Sequence, residues 1–278
     1  MIEDWGSDRV ADLAALTAAA LPTERLTPTE LSVCLWDDPG PAVVLGDQRG
    51  AVAAVVRDTV GYLRLLVVTP RARRHGAGRE LLGAAETWMI ERGATEIRVG
   101  AEAPYYLWPG VPVEATAALA LLETSGYDDA GAVLDMVCST DLHADPPAGI
   151  DVRVVDDGGA VTALVDREWP WWRDEVDRAI AQGGCVGAFA ADGTAVGFGC
   201  HSVSRAGWIG PIGTDPAAGR GGVGAAVMAG LCAELRLRGH TETEICWVGP
   251  IAFYAKACHA RTSRVFQTRI KRLPNPNP

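Results

Sequence analysis

The strongest constraint on the fold is an internal repeat in the amino-acid sequence. A short apolar segment ends at Pro70 and continues into a loop that contains glycine, and a second such segment ends at Pro216. Three pairs of residues share one spacing of 146 positions: Pro70 with Pro216, Gly76 with Gly222, and Gly78 with Gly224. A repeat of this length indicates two copies of one structural unit.

The repeat divides the chain of 278 residues into two domains. Residues 93–96 recur as 239–242 with the same spacing, so the similarity extends well beyond the loop. A connector rich in Pro, residues 143–149, lies between the halves, and this composition is typical of a domain boundary. Because domains commonly hold about 100 to 150 residues, we predict two homologous domains at 1–143 and 150–278.

The two halves share one order of predicted elements. A helical region comes first, at 10–20 and at 160–180, followed by apolar strands and the glycine loop. Apolar residues at helical spacing then predict a helix over 79–92 and over 225–238, before a further strand, a shorter helix and a closing strand. This order predicts an α/β (α+β) fold in which each half forms a mostly antiparallel mixed sheet flanked by helices.

Charge and hydropathy exclude several classes of function. The net charge of −10 disfavours binding to nucleic acid. No apolar run approaches the roughly 18 to 20 residues of a membrane span. The acidic start of the chain, with Glu3 and Asp4, lacks the features of a secretory signal, so we expect a cytoplasmic protein. The seven cysteines are scattered and form no CxxC pair, so we expect no metal site.

Both repeated loops have the features of an anion-binding site. A strand that turns through glycines into a helix leaves the first helical N–H groups unpaired at the positive end of the helix dipole, which suits a diphosphate. The residues predicted to bind such a ligand are Val68, Arg73, Arg74, His75, Gly76, Ala77 and Gly78 in the first half, and Ile212, Thr214, Gly219, Arg220, Gly221, Gly222, Val223 and Gly224 in the second.

Two other interpretations of the loops remain open. A capped surface turn would contain the same glycines without binding a ligand. The second loop also matches the Gly-x-Gly-x-x-Gly pattern of dinucleotide-dependent oxidoreductases at Gly219, Gly221 and Gly224. Glu242 and Glu244 follow about 20 residues later, where such enzymes place an acidic residue. The first loop lacks this pattern.

The segment Arg73-Arg74-His75-Gly76-Ala77-Gly78 resembles the acetyl-CoA loop of the GNAT acetyltransferase superfamily, which reads Arg/Gln-x-x-Gly-x-Gly/Ala. In the second half Gly222 and Gly224 match this pattern, whereas Gly219 occupies the Arg/Gln position and Arg220 follows it. The resemblance spans most of both halves, so the chain looks like a tandem GNAT. It implies that acetyl-CoA is the co-substrate and that the acetyl group is transferred to an amine.

The resemblance also implies which half is catalytic. Residues 253–259 resemble the family motif Leu-Tyr-Glu-Lys-x-Gly-Phe, which makes Tyr254 the acid that protonates the departing thiolate. Leu122 stands at this position in the first half, and a leucine cannot donate a proton. We therefore predict catalysis in the C-terminal domain, while the N-terminal domain binds acetyl-CoA or has a structural role.

The general base is less clearly marked in the sequence. His201 precedes the loop strand and titrates in the useful range, although a single histidine in a strand is more often a packing residue. Glu244 and Asp215 are alternatives that could act through a water molecule. The sequence leaves all three residues as candidates.

Aromatic and acidic residues indicate the class of acceptor. Residues 166–175 combine three Trp with four acidic residues, a composition that suits a cationic amine or an amino sugar. The predicted substrate-binding residues are Trp169, Trp172, Glu175 and Trp247. The alternative is that these Trp side chains only pack within the protein.

Further segments resemble particular GNAT subfamilies. The loop 103–112 and the pair Cys246-Trp247 resemble tandem GNATs that acetylate glucosamine or glucosaminides and, more distantly, mycothiol synthase. The resemblance implies a small-molecule amine acceptor, with an amino sugar as one candidate, and either a monomer or a homodimer. Because the halves depart from the family motifs at Leu122 and Gly219, a non-catalytic module that senses acetyl-CoA is the alternative function.

Overall fold

A computed structural model describes residues 1–100, 102–218 and 221–273. The elements in chain order are β1 (Glu3–Asp4), α1 (Val10–Ala20), α2 (Pro28–Leu35), β2 (Ala42–Asp47), β3 (Gly50–Arg57), β4 (Val60–Val68), α3 (Ala77–Ile90), β5 (Glu96–Val99), β6 (Val111–Pro112), α4 (Thr116–Thr124), β7 (Asp128–Ser139), β8 (Ile150–Val154), α5 (Gly159–Glu168), α6 (Arg173–Ala181), β9 (Cys185–Ala190), β10 (Ala195–His201), β11 (Trp208–Thr214), α7 (Val223–Leu237), β12 (Glu242–Ile245), α8 (Ile251–Cys258) and β13 (Arg261–Arg272).

The chain forms two compact units whose limits differ from the predicted boundaries at 143 and 150. Unit 1 contains residues 1–133 and the segment that begins at Val265, and unit 2 contains Leu134–Arg264. Each unit therefore takes its closing strand from the other half of the sequence. The second part of β7 belongs to unit 2, and the larger part of β13 belongs to unit 1.

Unit 1 is a sheet with helices on both faces. Its strand order is β1-β2-β3-β4-β5, followed by β13, which pairs antiparallel with β5. Strands β4 and β5 run parallel, from Val60 opposite Glu96 to Leu63 opposite Val99. Apolar residues of α3 cover one face, and those of α1 and α2 cover the other. The first seven residues of β3 are buried for this reason, because neither face of that strand meets solvent.

Unit 2 repeats this arrangement. Its strand order is β7-β12-β11-β10-β9-β8, in which β7 contributes residues 136–139 to the pairing with β12. Strands β11 and β12 run parallel, with Trp208 opposite Glu244. Helices α7 and α8 cover one face, and α5 and α6 cover the other.

These features confirm the predicted α/β (α+β) fold with two mostly antiparallel mixed sheets flanked by helices. A mostly antiparallel sheet is not the parallel, doubly wound sheet of dinucleotide-binding enzymes, so the fold does not support the oxidoreductase alternative. The helical region expected at 160–180 is two helices, because Trp169 precedes Pro170 and adopts an extended φ of −143°. Among the described residues, no helix is long and apolar enough to cross a membrane.

Candidate active site

Each unit opens a cleft where its two parallel strands separate. The last backbone hydrogen bond between β4 and β5 runs from Gly100 N–H to Leu63 O, at 2.9 Å. In unit 2 the corresponding bond runs from Cys246 N–H to Ile209 O, at 3.2 Å. Beyond these bonds, β4 is paired only with β3 among the described strands, and β11 only with β10. The other edge of each strand is open there. An extended ligand can therefore pair with the open edge of either strand.

A bulge lies at the start of each open edge. The register between β3 and β4 shifts so that Arg64 has no partner residue. The register between β10 and β11 shifts between Gly199 and His201, at the level of Gly210. Bulges redirect backbone groups and occur often beside active sites. Arg64 and Gly210 are related by the 146-residue repeat, so both units redirect the backbone at the same place.

The two glycine loops have the geometry of anion cradles. Gly76 and Gly222 precede α3 and α7 with φ angles of 88° and 92°, a left-handed conformation that glycine adopts without strain. Within the described part of the chain, the N–H groups of residues 74–78 and 222–224 donate no hydrogen bond. These N–H groups lie at the positive end of the helix dipole, so they and the dipole both favour an anion bound in the loop. Gly219 and Arg220, which were also predicted to bind this anion, lie outside the described residues.

The basic side chains of the first loop have different roles. Arg73 donates from Nε to Val68 O at 3.1 Å and from an Nη to Ala20 O at 2.8 Å, so it ties the loop to the ends of β4 and α1. Arg74 and His75 are exposed. These two side chains can approach a bound anion, whereas the Arg73 guanidinium is engaged within unit 1.

The unit 1 cleft contains a cavity of about 140 Å³ with mostly apolar walls. Leu63, Leu66, Val111 and Ala118 line it, and Leu122 of α4 forms part of the wall. Leu122 thus lies at the opening of the parallel strands with no group that can donate a proton. The cavity is large enough for a slender apolar or amide-containing chain.

A buried ionic network lies beside this cavity. Arg64 is 3% exposed. Its guanidinium donates from Nε to Glu102 Oε2 and from an Nη to Cys34 O, both at 2.9 Å, and also contacts Asp38. Arg57 donates to the same two carboxylates. The carboxylates of Asp38 and Glu102 are therefore paired with the protein's own cations.

In unit 2, α8 places Tyr254 beside the cleft. Phe253 packs against Gly224, 3.1 Å from the position of the missing Cβ, as Leu121 packs against Gly78 at 3.2 Å in unit 1. Tyr254 is buried in edge-to-face contact with Phe253, with 4.9 Å between ring centroids. Burial and the neighbouring thiols of Cys246 and Cys258 raise the pKa of Tyr254, so the phenol holds its proton at neutral pH.

The predicted base His201 lies on the opposite side of the sheet from Glu244. It is 0% exposed, its Nδ1 lies 3.0 Å from Ser202 Oγ, and its Nε2 has no hydrogen-bond partner among the described residues. Burial, and then the charges of Arg238 and His240, lower its pKa to about 4. An enclosed, neutral imidazole with such a low pKa does not meet a substrate in the cleft.

The other two candidate bases differ in their contacts. Asp215 accepts from Ala217 N–H at 2.8 Å and from Arg167 at 2.7 Å, which makes it the cap of a turn. Glu244 of β12 is half-buried and accepts from Trp208 Nε1 at 3.0 Å, one residue pair before the strands separate. Glu244 is therefore the predicted base that the structure places beside the cleft.

A second carboxylate near Glu244 was not predicted. Asp135 of β7 is 0% exposed and accepts from Trp247 N–H at 2.8 Å. Burial, together with the charge of Glu244, raises the pKa of Asp135 to about 7. The only local signal in the sequence was one acidic residue within the apolar run Leu134-Asp135-Met136-Val137.

The predicted substrate-binding residues fall into two groups. Trp169 and Trp172 stack with 5.6 Å between ring centroids and pack on the core of unit 2, and Trp169 covers Gly213 of β11. Glu175 of α6 is 7% exposed, and burial with the nearby Asp174 raises its pKa to about 7. Trp247 is 42% exposed and directly follows the last residue that bonds β12 to β11.

Residues 11–105 match the family model described as the acetyltransferase (GNAT) family. No curated protein matches the chain significantly in sequence.

Several solved structures share the fold over nearly the whole chain. A glucosamine N-acetyltransferase region of a fungal multi-domain GH3 β-N-acetylglucosaminidase is 21% identical with a TM-score of 0.79, covering 97% of this chain and 38% of that one. A GCN5-related N-acetyltransferase from Sphaerobacter thermophilus is 20% identical with a TM-score of 0.71, covering 98% and 95%. A tandem GNAT protein from the clavulanic acid biosynthesis pathway is 17% identical with a TM-score of 0.73, covering 98% of each chain. The chain thus carries a match to the acetyltransferase (GNAT) family at residues 11–105, and as a whole it has the fold of a tandem GNAT protein.

Proposed function

We propose that the chain is an N-acetyltransferase that uses acetyl-CoA and that unit 2 performs the reaction. The observation that carries this proposal is the position of Tyr254. A buried phenol that keeps its proton lies beside the cleft of β11 and β12, and the same helix packs against the anion loop at Gly224. Unit 1 has the cleft and the loop, but a leucine in place of the phenol.

Acetyl-CoA binding follows from the loop and the open strand edge. The N–H groups of residues 222–224 and the dipole of α7 hold the diphosphate. The amide groups of the pantetheine arm pair with the backbone of β11 beyond Ile209, as a peptide adds to a sheet edge. The thioester then lies at the bulge near Gly210, where backbone donors can stabilise the developing oxyanion.

The reaction proceeds by direct transfer. A neutral amine attacks the thioester carbon, its nitrogen forms the new C–N bond, and the carbonyl oxygen becomes negative. Collapse of this intermediate breaks the C–S bond, and Tyr254 protonates the departing thiolate. The acceptor nitrogen loses its proton to Glu244 through a water molecule, which leaves an amide and CoA.

The acceptor is a small molecule with a primary amine. Glu244 lies beside the cleft, Glu175 is a buried carboxylate on α6, and the exposed indole of Trp247 stands at the end of β12. Carboxylates with an aromatic face favour a cation or a sugar ring that carries an amine. The likeness to a glucosamine N-acetyltransferase region makes an amino sugar the first acceptor to test.

Unit 1 supports a second, non-catalytic candidate function. Its loop is the more complete copy, and its cleft contains a cavity of about 140 Å³. A unit that binds acetyl-CoA in this cleft without turnover would sense the cofactor. Tight binding of acetyl-CoA with no CoA release would favour this function over catalysis.

The direct test is release of CoA from acetyl-CoA with a panel of amines that includes D-glucosamine. Calorimetry with acetyl-CoA alone runs beside it, together with thermal unfolding, because a ligand that binds only the native state raises its stability. Turnover with at least one amine supports the proposal. No binding at millimolar acetyl-CoA would contradict both candidate functions.

A further inference from the structure

The residue that follows the last bond between β11 and β12 has an unusual backbone. Trp247 has a φ of 50°, in the left-handed region that residues other than glycine rarely adopt. The residue is 42% exposed. Such a conformation persists only where the surrounding structure holds it, and it is common at ligand sites.

Hydrogen bonds from Trp247 and Val248 to residues of β7 hold this backbone. Trp247 N–H donates to Asp135 Oδ1 at 2.8 Å, and Val248 N–H donates to Leu134 O at 2.8 Å. Residues 134 and 135 of β7 therefore continue to bind the chain after β12 has ended at Ile245. The side chain of Asp135 takes the place of a backbone acceptor at the residue where the strand turns away.

Asp135 is more deeply buried than this one bond requires. It is 0% exposed, and its second oxygen, Oδ2, has no hydrogen-bond partner among the described residues. The charged groups around it are Glu244 of β12, Arg264 of β13 and Arg205 of the loop after β10. A buried carboxylate with an unsatisfied oxygen reduces stability, so its presence calls for a functional reason.

We infer that Asp135 is a positioning residue, which sets the acceptor site of unit 2 by holding the Trp247 backbone in the conformation that presents the indole at the cleft. This inference rests on the proposed function. Asp135 is too deeply buried to touch a substrate, so it acts through Trp247. Trp247 is in turn next to Cys246, whose thiol neighbours the Tyr254 phenol. The arrangement couples the acceptor wall to the end of the cleft where the thiolate departs.

The test compares Asp135→Ala, Asp135→Asn and Trp247→Ala, with D-glucosamine as the probe acceptor. Asp135→Ala should raise the acceptor KM about tenfold, a factor within the range for loss of one hydrogen bond, with little change in the KM of acetyl-CoA. Asp135→Asn should restore the acceptor KM, because its amide oxygen can accept the same bond. In a Trp247→Ala background, Asp135→Ala should have no further effect on the acceptor KM.

The matched control is Asp192→Ala, which removes another carboxylate that accepts a backbone N–H, from Thr194 at 2.9 Å, at an exposed turn of unit 2. Its acceptor KM should equal that of the wild type. An Asp135→Ala effect that persists in full in the Trp247→Ala background, or that changes kcat and both KM values alike, would show a general structural role and overturn the inference.

Amide hydrogen exchange at Trp247 separates this inference from the proposed function, because it needs no turnover. Exchange should be faster in Asp135→Ala and near the wild-type rate in Asp135→Asn. Unchanged exchange in Asp135→Ala would overturn the inference even in an active enzyme. Wild-type protein that acetylates no amine would overturn the proposed function and the acceptor role with it, whatever the exchange rates.

Discussion

Units 1 and 2 are built alike up to the point at which their parallel strands separate. Both have a bulge in the loop strand, an anion loop opened by a left-handed glycine, and a short helix packed against that loop. Two differences in residue type bear on the chemistry of the clefts, one at the bulge and one on the short helix. Unit 1 has Arg64 at the bulge and Leu122 on the helix, whereas unit 2 has Gly210 and Tyr254.

Under the proposed function, the two units share one scaffold and one type of cleft, and only unit 2 has the groups for the reaction. In unit 1 the carboxylates of Asp38 and Glu102 beside the cleft bind Arg57 and Arg64. Glu24, which also lines the cavity, accepts from Trp108 Nε1 at 2.8 Å. In unit 2 the residue at the bulge has no side chain, and the carboxylate of Glu244 lies beside the cleft. The cleft alone therefore does not identify the catalytic unit.

The largest expected effect is on stability, from Arg64→Ala in unit 1. The change leaves buried carboxylates short of a cation, which typically costs about 3 to 5 kcal/mol. Urea unfolding measures it. The control is Arg98→Ala. The side chain of Arg98 is 53% exposed and pairs with Glu96 at 2.6 Å. Loss of such a surface pair costs about 0 to 1 kcal/mol. Equal losses in the two variants would mean that the Arg64 network does not distinguish unit 1.

The next largest effect is a loss of catalytic activity when a carboxylate is introduced into the glycine loop of unit 2. Gly222→Asp should lower kcat/KM by about 1,000-fold, because two like charges near 4 Å repel by about 4 kcal/mol at a protein surface. Gly76→Asp in unit 1 should have little effect on turnover. Release of CoA measures both variants.

Gly239→Asp is the matched control for these loop variants. Gly239 has a φ of 90° and open space around it, so the variant introduces the same backbone strain and charge away from the loop. A loss of turnover in Gly76→Asp but not in Gly222→Asp would reverse the assignment of the two units.

Tyr254→Phe should lower kcat by about 100-fold, the low end of the usual range for general acid catalysis, because a thiolate is a good leaving group. The affinity for acetyl-CoA should not change, since the ring and its contact with Phe253 remain. Steady-state kinetics and calorimetry measure these quantities. Tyr127→Phe, which removes the hydroxyl of a buried tyrosine in unit 1, is the control. Wild-type turnover in folded Tyr254→Phe would make Tyr254 a packing residue.

Unit 2 contains a buried imidazole, that of His201, whose protonation should destabilise the protein at acid pH. The pKa of His201 falls from 6.5 to about 4 on folding, so the unfolded chain binds the proton more readily. The stability that neutral His201 allows is therefore complete above pH 6.5 and is lost as the pH falls toward 4.

At pH 5 this loss amounts to about 2 kcal/mol relative to pH 8. His201→Leu should remove this part of the pH dependence in urea unfolding. The exposed His143 is the control, and His143→Leu should leave the pH dependence unchanged. Parallel curves for wild type and His201→Leu would contradict the burial of a neutral imidazole.

The smallest effect is expected for Leu122→Tyr, made in the Tyr254→Phe background. The new hydroxyl in unit 1 leaves the carboxylates of Asp38 and Glu102 bound to Arg57 and Arg64. Turnover should therefore stay at the level of Tyr254→Phe alone. Release of CoA is again the measurement. Recovery of turnover would show that unit 1 retains a working acceptor site.

Local signals in the sequence predicted a large part of the fold. Helices α1, α3 and α7 lie within two residues of their predicted limits, because apolar spacing and flanking glycines act over a few residues. Helix α2 was missed although it begins with a capping box between Thr27 and Glu30, a signal that was present. The break between α5 and α6 was equally visible at Pro170.

The candidate site was less predictable, because its contacts are distant in sequence. Trp247 and Asp135 are separated by 112 positions, and no periodicity links them. His201 and Glu244 were equivalent as candidate bases in the sequence, and the sheet places their side chains on opposite faces. Alternation along a strand predicts that successive side chains point to opposite faces of the sheet. It does not predict which of these faces borders the cleft.

The sequence by itself determined the repeat, the α/β (α+β) class, the two glycine loops and the absence of a phenol at Leu122, because each depends on residue identity and short spacing. The tertiary structure decided which strands close each sheet, which carboxylates beside the unit 1 cleft bind Arg57 and Arg64, and that Glu244 lies beside the unit 2 cleft. Strand pairing and burial depend on contacts between segments far apart in the chain. They change the pKa of a side chain and its access to a ligand without leaving a local pattern in the sequence.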